Sequence, residues 1–154
     1  MNLRIKEINE FGLNHYAQFS QFVGCLIVSQ KGEILLQKRG PDFESFPNKI
    51  STFGGKIEVG ETPEEALIRE LKEELGAEVN LKKAIKLGII LESVTAYQNP
   101  IHLYFWRDEA GSITGCYEGE MMAFKNTEEI LACENLMDDV RWLIKKYREL
   151  KLGV

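Results

Sequence analysis

Residues 54–77 read GGKIEVGETPEEALIRELKEELGA, and this stretch decides how the rest of the chain is read. Its second half predicts a helix over Pro63–Leu75. Thr62 can serve as N-cap, Pro63 fills the first helical position, and Glu65 stands three residues after the cap, completing a capping box. Gly76 follows Leu75 as a stop. Leu67, Ile68, Leu71 and Leu75 form an apolar stripe, so the helix packs on something. Glu70, Glu73 and Glu74 fall beside that stripe, within an arc of about 100°. Like charges at this spacing repel by a few tenths of a kcal/mol per pair. The macrodipole also disfavours anions in the last turn, where Glu73 and Glu74 sit. Two local rules are broken together, as happens at functional sites. A divalent cation would relieve both penalties, whereas a solvated acidic face is what spacing alone leaves open. Glu74 adjoins Leu67 on the helical wheel, at the edge of the buried stripe, and needs a cation or strong donors to stay ionised. Arg69 can reach Glu73 one turn on, or fold back toward Glu61. Gly54, Gly55 and Gly60 surround Lys56–Val59 and permit close approach of a ligand or ion.

Gly55, five residues, Glu61, seven residues, then Arg69-Glu70-Leu71-x-Glu73-Glu74-x-Gly76-Ala77 resembles the complete signature of the Nudix hydrolases, enzymes that cleave nucleoside diphosphates linked to another moiety. The signature covers only about a seventh of the chain, and the flanking strand pattern extends a looser similarity over most of the rest. The resemblance implies an α/β fold, an α/β/α sandwich around a mixed β-sheet. It implies Mg²⁺, with Mn²⁺ as an alternative, held by Glu73, Glu74, the backbone carbonyl of Gly54 and Glu70. Glu70 is then either a ligand or the general base, and we favour the base. Arg69 and Glu61 are implied to orient the turn and that base. One departure stands beside the match. Phe53 precedes the paired glycines where many family members carry proline, so the turn must be held by packing rather than by a fixed φ.

The length of 154 residues suits a single domain, 1–154, with one substantial core. Net charge is −5 with no basic run, which argues against a general nucleic-acid groove. It also means that a phosphate substrate approaching this acidic protein needs metal ions as mediators. Cys25, Cys116 and Cys133 are odd in number and form no paired spacing, so a reducing cytoplasm is the expected compartment, with Cys25 a buried thiol. No stretch resembles a signal peptide or membrane span. The sequence does not fix the oligomeric state; a homodimer is one form it allows.

Along the chain, Met1–Gln21 reads as an edge strand from Leu3 to Ile8 followed by an irregular arm. Strands are expected at Phe22–Ser29, Ile34–Arg39, Leu81–Ser93, Ile101–Asp108 and Met121–Phe124, while Ile50–Phe53 leads into the glycine turn and the helix. Gly40–Lys49 is a loop. Thr127 can cap a short helix, and Asn135–Leu150 is a longer amphipathic one.

Four further residues carry two readings each. Glu118 resembles the extra metal-binding glutamate of the MutT branch, with Glu120 as a competitor and an ordinary loop carboxylate as the alternative. Asn135 matches a purine-reading asparagine of that branch, but Asn is also a favoured helix cap. Arg39 stands where the branch places a substrate-contacting arginine, or is a strand-end charge. Lys56 touches phosphate or is solvated. His15 and His102 lack neighbours at metal spacing and are expected to be ordinary polar residues. The resemblance therefore implies a Mg²⁺-dependent pyrophosphohydrolase acting on a small nucleotide. A nucleoside triphosphate, oxidised or ordinary, would give a monophosphate and pyrophosphate. A nucleotide sugar or ADP-ribose type substrate is the alternative, and a non-catalytic nucleotide-binding module the remoter one.

Overall fold

The structure, a computed structural model, describes residues 4–153. Eight strands and three helices follow in chain order: β1 (Ile5–Ile8), β2 (Phe22–Val28), β3 (Ile34–Lys38), β4 (Ile50–Ser51), β5 (Phe53–Lys56), α1 (Pro63–Leu75), β6 (Ile85–Glu92), β7 (Ile101–Arg107), β8 (Glu120–Phe124), α2 (Thr127–Leu131) and α3 (Asp138–Glu149). The sheet runs β1-β6-β7-β2-β3-β4, with β5 added to β2 and β8 to β3. It is mixed, because β2 and β7 pair in parallel from Phe22 opposite Ile101 to Val28 opposite Arg107 while their other neighbours are antiparallel.

β2 is the centre of the molecule, and its apolar run follows from burial on both faces. Successive side chains point to opposite sides. Val23, Cys25 and Ile27 meet Leu67, Leu71 and Leu75 of α1, while Leu26 and Val28 belong to the layer containing Val140, Leu143 and Ile144 of α3. The result is the α/β/α sandwich that the resemblance implied. β2 also forks. Its first half, Phe22–Cys25, pairs with β5, and its last residues, Ile27 and Val28, pair with β3. The opening between these two partners is where the cleft described below forms.

The expected elements survive with shifted edges. Leu3 lies outside the described residues, while Ile5–Ile8 pairs with β6 at the sheet edge as expected. The arm after it contains a 3-10 helix, Glu10–Tyr16, capped by the Asn9 side chain. The strand expected from Leu81 starts at Ile85 instead, because Asn80 caps a 3-10 turn over Leu81–Lys83. Gly88 gives β6 a bulge, and a Cβ there would stand 2.9 Å from Cη2 of Trp142. The lead-in to the glycine turn, Ile50–Phe53, forms sheet: Ile50–Ser51 pairs with β3 as β4, and Phe53 opens β5 on β2. The last helix begins at Asp138, not Asn135, because Leu136 is still extended and bridges Ile50. Phe53 is fully buried against α1, so packing holds the turn that lacks proline. Among the described residues, no helix is long and apolar enough to cross a membrane.

Candidate active site

Helix α1 is fixed at both ends as its sequence dictates. Thr62 Oγ1 accepts from the Glu65 N–H at 3.1 Å, and Glu65 Oε1 accepts from the Thr62 N–H at 3.0 Å. At the other end Gly76 takes φ 67°, and its N–H returns to the Leu71 and Lys72 carbonyls. This fixed rod presents the acidic residues to the Gly54–Gly55 strand.

Arg69 is the hub of the first cluster. Its Nε and Nη2 donate to the two oxygens of Glu61 at 2.8 and 2.9 Å, a bidentate pair. Nη2 also donates to the Lys56 carbonyl at 2.9 Å, and Nη1 to Glu70 Oε1 at 2.8 Å. Glu73 Oε2 stands farther off at 3.5 Å. The guanidinium, together with the Glu58 N–H at 3.0 Å, holds the Glu61 carboxyl down at about 2. Arg69 and Glu61 thus fasten the 56–61 turn to the helix, and Arg69 also holds one oxygen of Glu70.

Glu74 is the most buried acid here, at 2% exposure. Oε1 accepts from the Gly54 N–H at 2.9 Å and Oε2 from Gln37 Nε2 at 3.2 Å. Burial, then the negative charges of Glu118 and Glu70, push its carboxyl up to about 9 against the pull of the Gly54 N–H. Burial likewise raises Glu70, with Arg69 opposing. The glycines make this proximity possible. A Cβ on Gly55 would lie 2.5 Å from Glu70 Oε1, and one on Gly54, at φ +149°, would lie 2.1 Å from the Val23 carbonyl oxygen. Glu73 faces outward, with its side chain 59% exposed. Glu118 is exposed but lines the cleft, whereas Glu120, its competitor, lies in β8 opposite Lys38.

The donor set is all oxygen, which suits a hard divalent ion such as Mg²⁺ or Mn²⁺. The charge at buried Glu74 is also one that a cation would stabilise. Among the described residues, however, no three acidic, His or Cys side chains converge on one point. An ion there would need water and substrate oxygens to complete its shell, as Mg²⁺ commonly does. The residues fit the ion on those terms.

From Gly54 and Gly55 a cleft of about 510 Å³ runs to Glu92 and Asp139, a size that holds a mononucleotide. Its inner end is acidic. Glu92 and Asp139 are 3% and 6% exposed. Asp139 Oδ2 accepts from Thr52 Oγ1 at 3.3 Å, and Glu92 Oε2 accepts from the Asp139 N–H at 3.2 Å. Asp139 Oδ1 has no hydrogen-bond partner. Burial raises both carboxyls, helped at Glu92 by the charges of Asp139 and Asp138 and at Asp139 by that of Asp138.

Arg39 also lines the cleft, half-buried, with Nε on the Ser45 carbonyl at 2.8 Å and its guanidinium 4.7 Å above the Phe43 ring. Lys56 and Asn135 do not line it. Lys56 is exposed. Asn135 donates from Nδ2 to the Asn48 carbonyl at 2.8 Å and caps no helix, since Met137 occupies the cap position of α3. His102 is buried between Gln21 and Lys86, burial and then the Lys86 charge lowering it to about 4, and His15 is exposed. Gln37, Thr52, Glu92 and Asp139 are cleft residues that the sequence did not single out. The one signal available was Glu92, a charge closing the otherwise apolar run Gly88–Leu91.

The family model described as NUDIX domain matches residues 20–146. The chain belongs to the Nudix family. It is 47% identical over 51 residues to the 8-oxo-dGTP diphosphatase of Escherichia coli (strain K12), covering 33% of this chain and 39% of that protein. It is 44% identical over 57 residues to the nucleoside triphosphatase NudI of Enterobacter sp. (strain 638), covering 37% and 40%. The chain thus spans about two fifths of the length of these relatives. Among solved structures it is similar to the MutT protein of Methanosarcina mazei Go1, with TM-score 0.71 and 23% identity over 86% of this chain and 94% of that one. The likeness is one of fold.

Proposed function

We propose that this Nudix chain is a divalent-metal-dependent pyrophosphohydrolase that splits a phosphoanhydride of a nucleoside triphosphate, ordinary or oxidised, into a monophosphate and pyrophosphate. The observation that carries this reading is Glu74. It is a nearly sealed carboxyl, pressed by Glu118 and Glu70, and its hydrogen-bond partners Gly54 and Gln37 line a nucleotide-sized cleft. Glu73, Glu74, the Gly54 carbonyl and Glu118 would hold the ion, most simply Mg²⁺. When bound, such an ion neutralises phosphate charge and acidifies water. Glu70 accepts the proton of the attacking water, with Arg69 occupying Oε1 and leaving Oε2 for that task. Arg39 meets the phosphate chain from the far wall. At the inner end, the unpartnered Asp139 Oδ1 takes an N–H from the nucleobase, while Glu92 and Thr52 hold Asp139 in place. Asn135 moors the loop around Asn48, and Lys56 stays solvated.

The similarity over short spans to a nucleoside triphosphatase and an 8-oxo-dGTP diphosphatase supports the triphosphate over a nucleotide sugar. The test is hydrolysis of triphosphates, oxidised triphosphates, nucleotide sugars and ADP-ribose with Mg²⁺ or Mn²⁺ and without either, with products identified. Pyrophosphate and a monophosphate are expected, with turnover falling by about 10²–10⁴ in Glu70→Gln and a large loss in Glu73→Gln and Glu74→Gln. Unchanged metal-dependent turnover in the Glu73 and Glu74 variants would overturn the assignment. Sugar phosphate in place of pyrophosphate would overturn the substrate.

A further inference from the structure

Between β7 and β8 the chain crosses the C-terminal end of α1. The Thr114 N–H donates to the Leu75 carbonyl at 2.9 Å and the Tyr117 N–H to the Glu74 carbonyl at 2.8 Å. These carbonyls are among the last four of the helix, which have no acceptor role inside it. The crossing is close, since a Cβ on Gly76 would stand 2.0 Å from Thr114 Oγ1. Two residues after Tyr117, Gly119 adopts φ +69°, and a Cβ there would meet the Lys38 carbonyl oxygen at 2.8 Å and Gln37 Cγ at 3.0 Å.

Gln37 lies beneath this crossing. It comes from β3 and is 2% exposed. Its Nε2 donates to Glu74 Oε2 at 3.2 Å and to the Glu118 backbone oxygen at 2.9 Å. An amide nitrogen carries two hydrogens, and these two contacts use both. One side chain therefore joins three elements: the sheet, the acidic helix and the segment carrying Glu118. With Gly54 on the other oxygen, it also anchors both oxygens of Glu74 and leaves one lone pair on each for a cation. A buried amide without such partners would be costly.

We propose that Gln37 is a positioning residue that fixes Glu118 relative to Glu74 and so sets how tightly the site grips a divalent ion. This rests on the metal assignment made above. It goes beyond that assignment by naming a side chain that is no metal ligand and acts through Glu74 and the Glu118 backbone.

The experiment uses the full chain without substrate. Mn²⁺ binding is titrated directly, and amide hydrogen exchange is followed at Tyr117 to Gly119. Gln37→Met keeps the side-chain size, replaces the amide with an apolar group and removes both donors. It should weaken Mn²⁺ binding about 10–100-fold, the usual cost of losing an outer partner of a metal ligand, and should speed exchange at those three amides. Gly119→Ala reaches the same contact from the opposite side and should do both, so the proposal stays testable if Gln37→Met folds poorly. In a Glu118→Gln background, Gln37→Met should cost much less affinity than in the wild-type chain, because part of its action runs through Glu118. Mn²⁺ affinity within twofold of wild type in folded Gln37→Met, or in Gly119→Ala, would overturn the proposal, as would unchanged exchange. Failure of the wild-type chain itself to bind Mn²⁺ would overturn the metal assignment, and this proposal with it, and is seen before any variant is made.

Discussion

Beside the Gly54–Gly55 end of the cleft, Glu61 and Glu70 share the guanidinium of Arg69 at 2.8–2.9 Å. At the α3 end, Glu92 and Asp139 are more deeply buried, yet among the described residues neither has a cation within ion-pair distance, and one oxygen of Asp139 has no partner. The first arrangement is a closed set of contacts that keeps carboxylates charged and aimed. The second is incomplete, and an incomplete buried polar set is expensive until something fills it. The difference separates a part whose contacts the chain closes by itself from a part it leaves open, the part that the proposed function gives to a ligand.

The largest expected effect comes from opening the closed set. Arg69→Met should lower kcat about 10–100-fold, the range for removing an outer partner of an active carboxylate, in a steady-state assay. It should also lower the unfolding midpoint at neutral pH. Because the folded-state value of Glu61 is depressed to about 2, that stabilisation is present above the unfolded carboxylate value of about 4 and is lost as pH falls through 2. Melting curves of wild type and variant should therefore converge on acidification. A gap that widens in acid would break the comparison.

Next is Asp139→Asn, which should raise KM about 10-fold with kcat nearly unchanged, as expected for one charge-assisted contact of about 1.5 kcal/mol. Here the sign of the pH effect reverses. The Asp139 and Glu92 carboxyls are raised in the folded state, so their contribution is fully present below about pH 4 and is lost as pH rises through the raised values. Urea midpoints should thus fall from pH 5 to pH 8 in the wild type, and fall less in Glu92→Gln/Asp139→Asn. The smallest effect belongs to a residue outside both ends. Thr62→Ala removes the cap of α1 and should cost about 1 kcal/mol of stability by urea unfolding, with KM unchanged.

The closed end was legible in the sequence for a local reason. The cap, the proline, the stop and the carboxylate spacing of α1 all lie within one helix, where distance along the chain predicts distance in space. Arg69 turning back to Glu61, and Glu74 at the margin of the buried stripe, follow from the helical wheel. The α3 end is assembled from β6, the β4–β5 junction and the start of α3, and no local rule brings Glu92, Thr52 and Asp139 together. Asn135 illustrates the same limit. Asn favours caps, but the pairing of Leu136 with Ile50 keeps the chain extended past it and delays the helix to Asp138. Gln37 was hidden for a simpler reason: in a strand buried on both faces, alternation does not mark which polar residue turns inward.

The fork in β2 has a consequence for what the cleft can admit. Gly54 is opposite Gly24, Thr52 sits two residues before it, and the ideal Cβ of Gly24 would lie 2.6 Å from Thr52 Oγ1. Gly54, which holds Glu74, and Thr52, which holds Asp139, thus hang two residues apart on one stretch of main chain, braced on a single central strand. Peptide geometry sets the spacing between the two ends, as the marks on a caliper are cut into the bar. A molecule that fits is gauged by its length as well as by its groups.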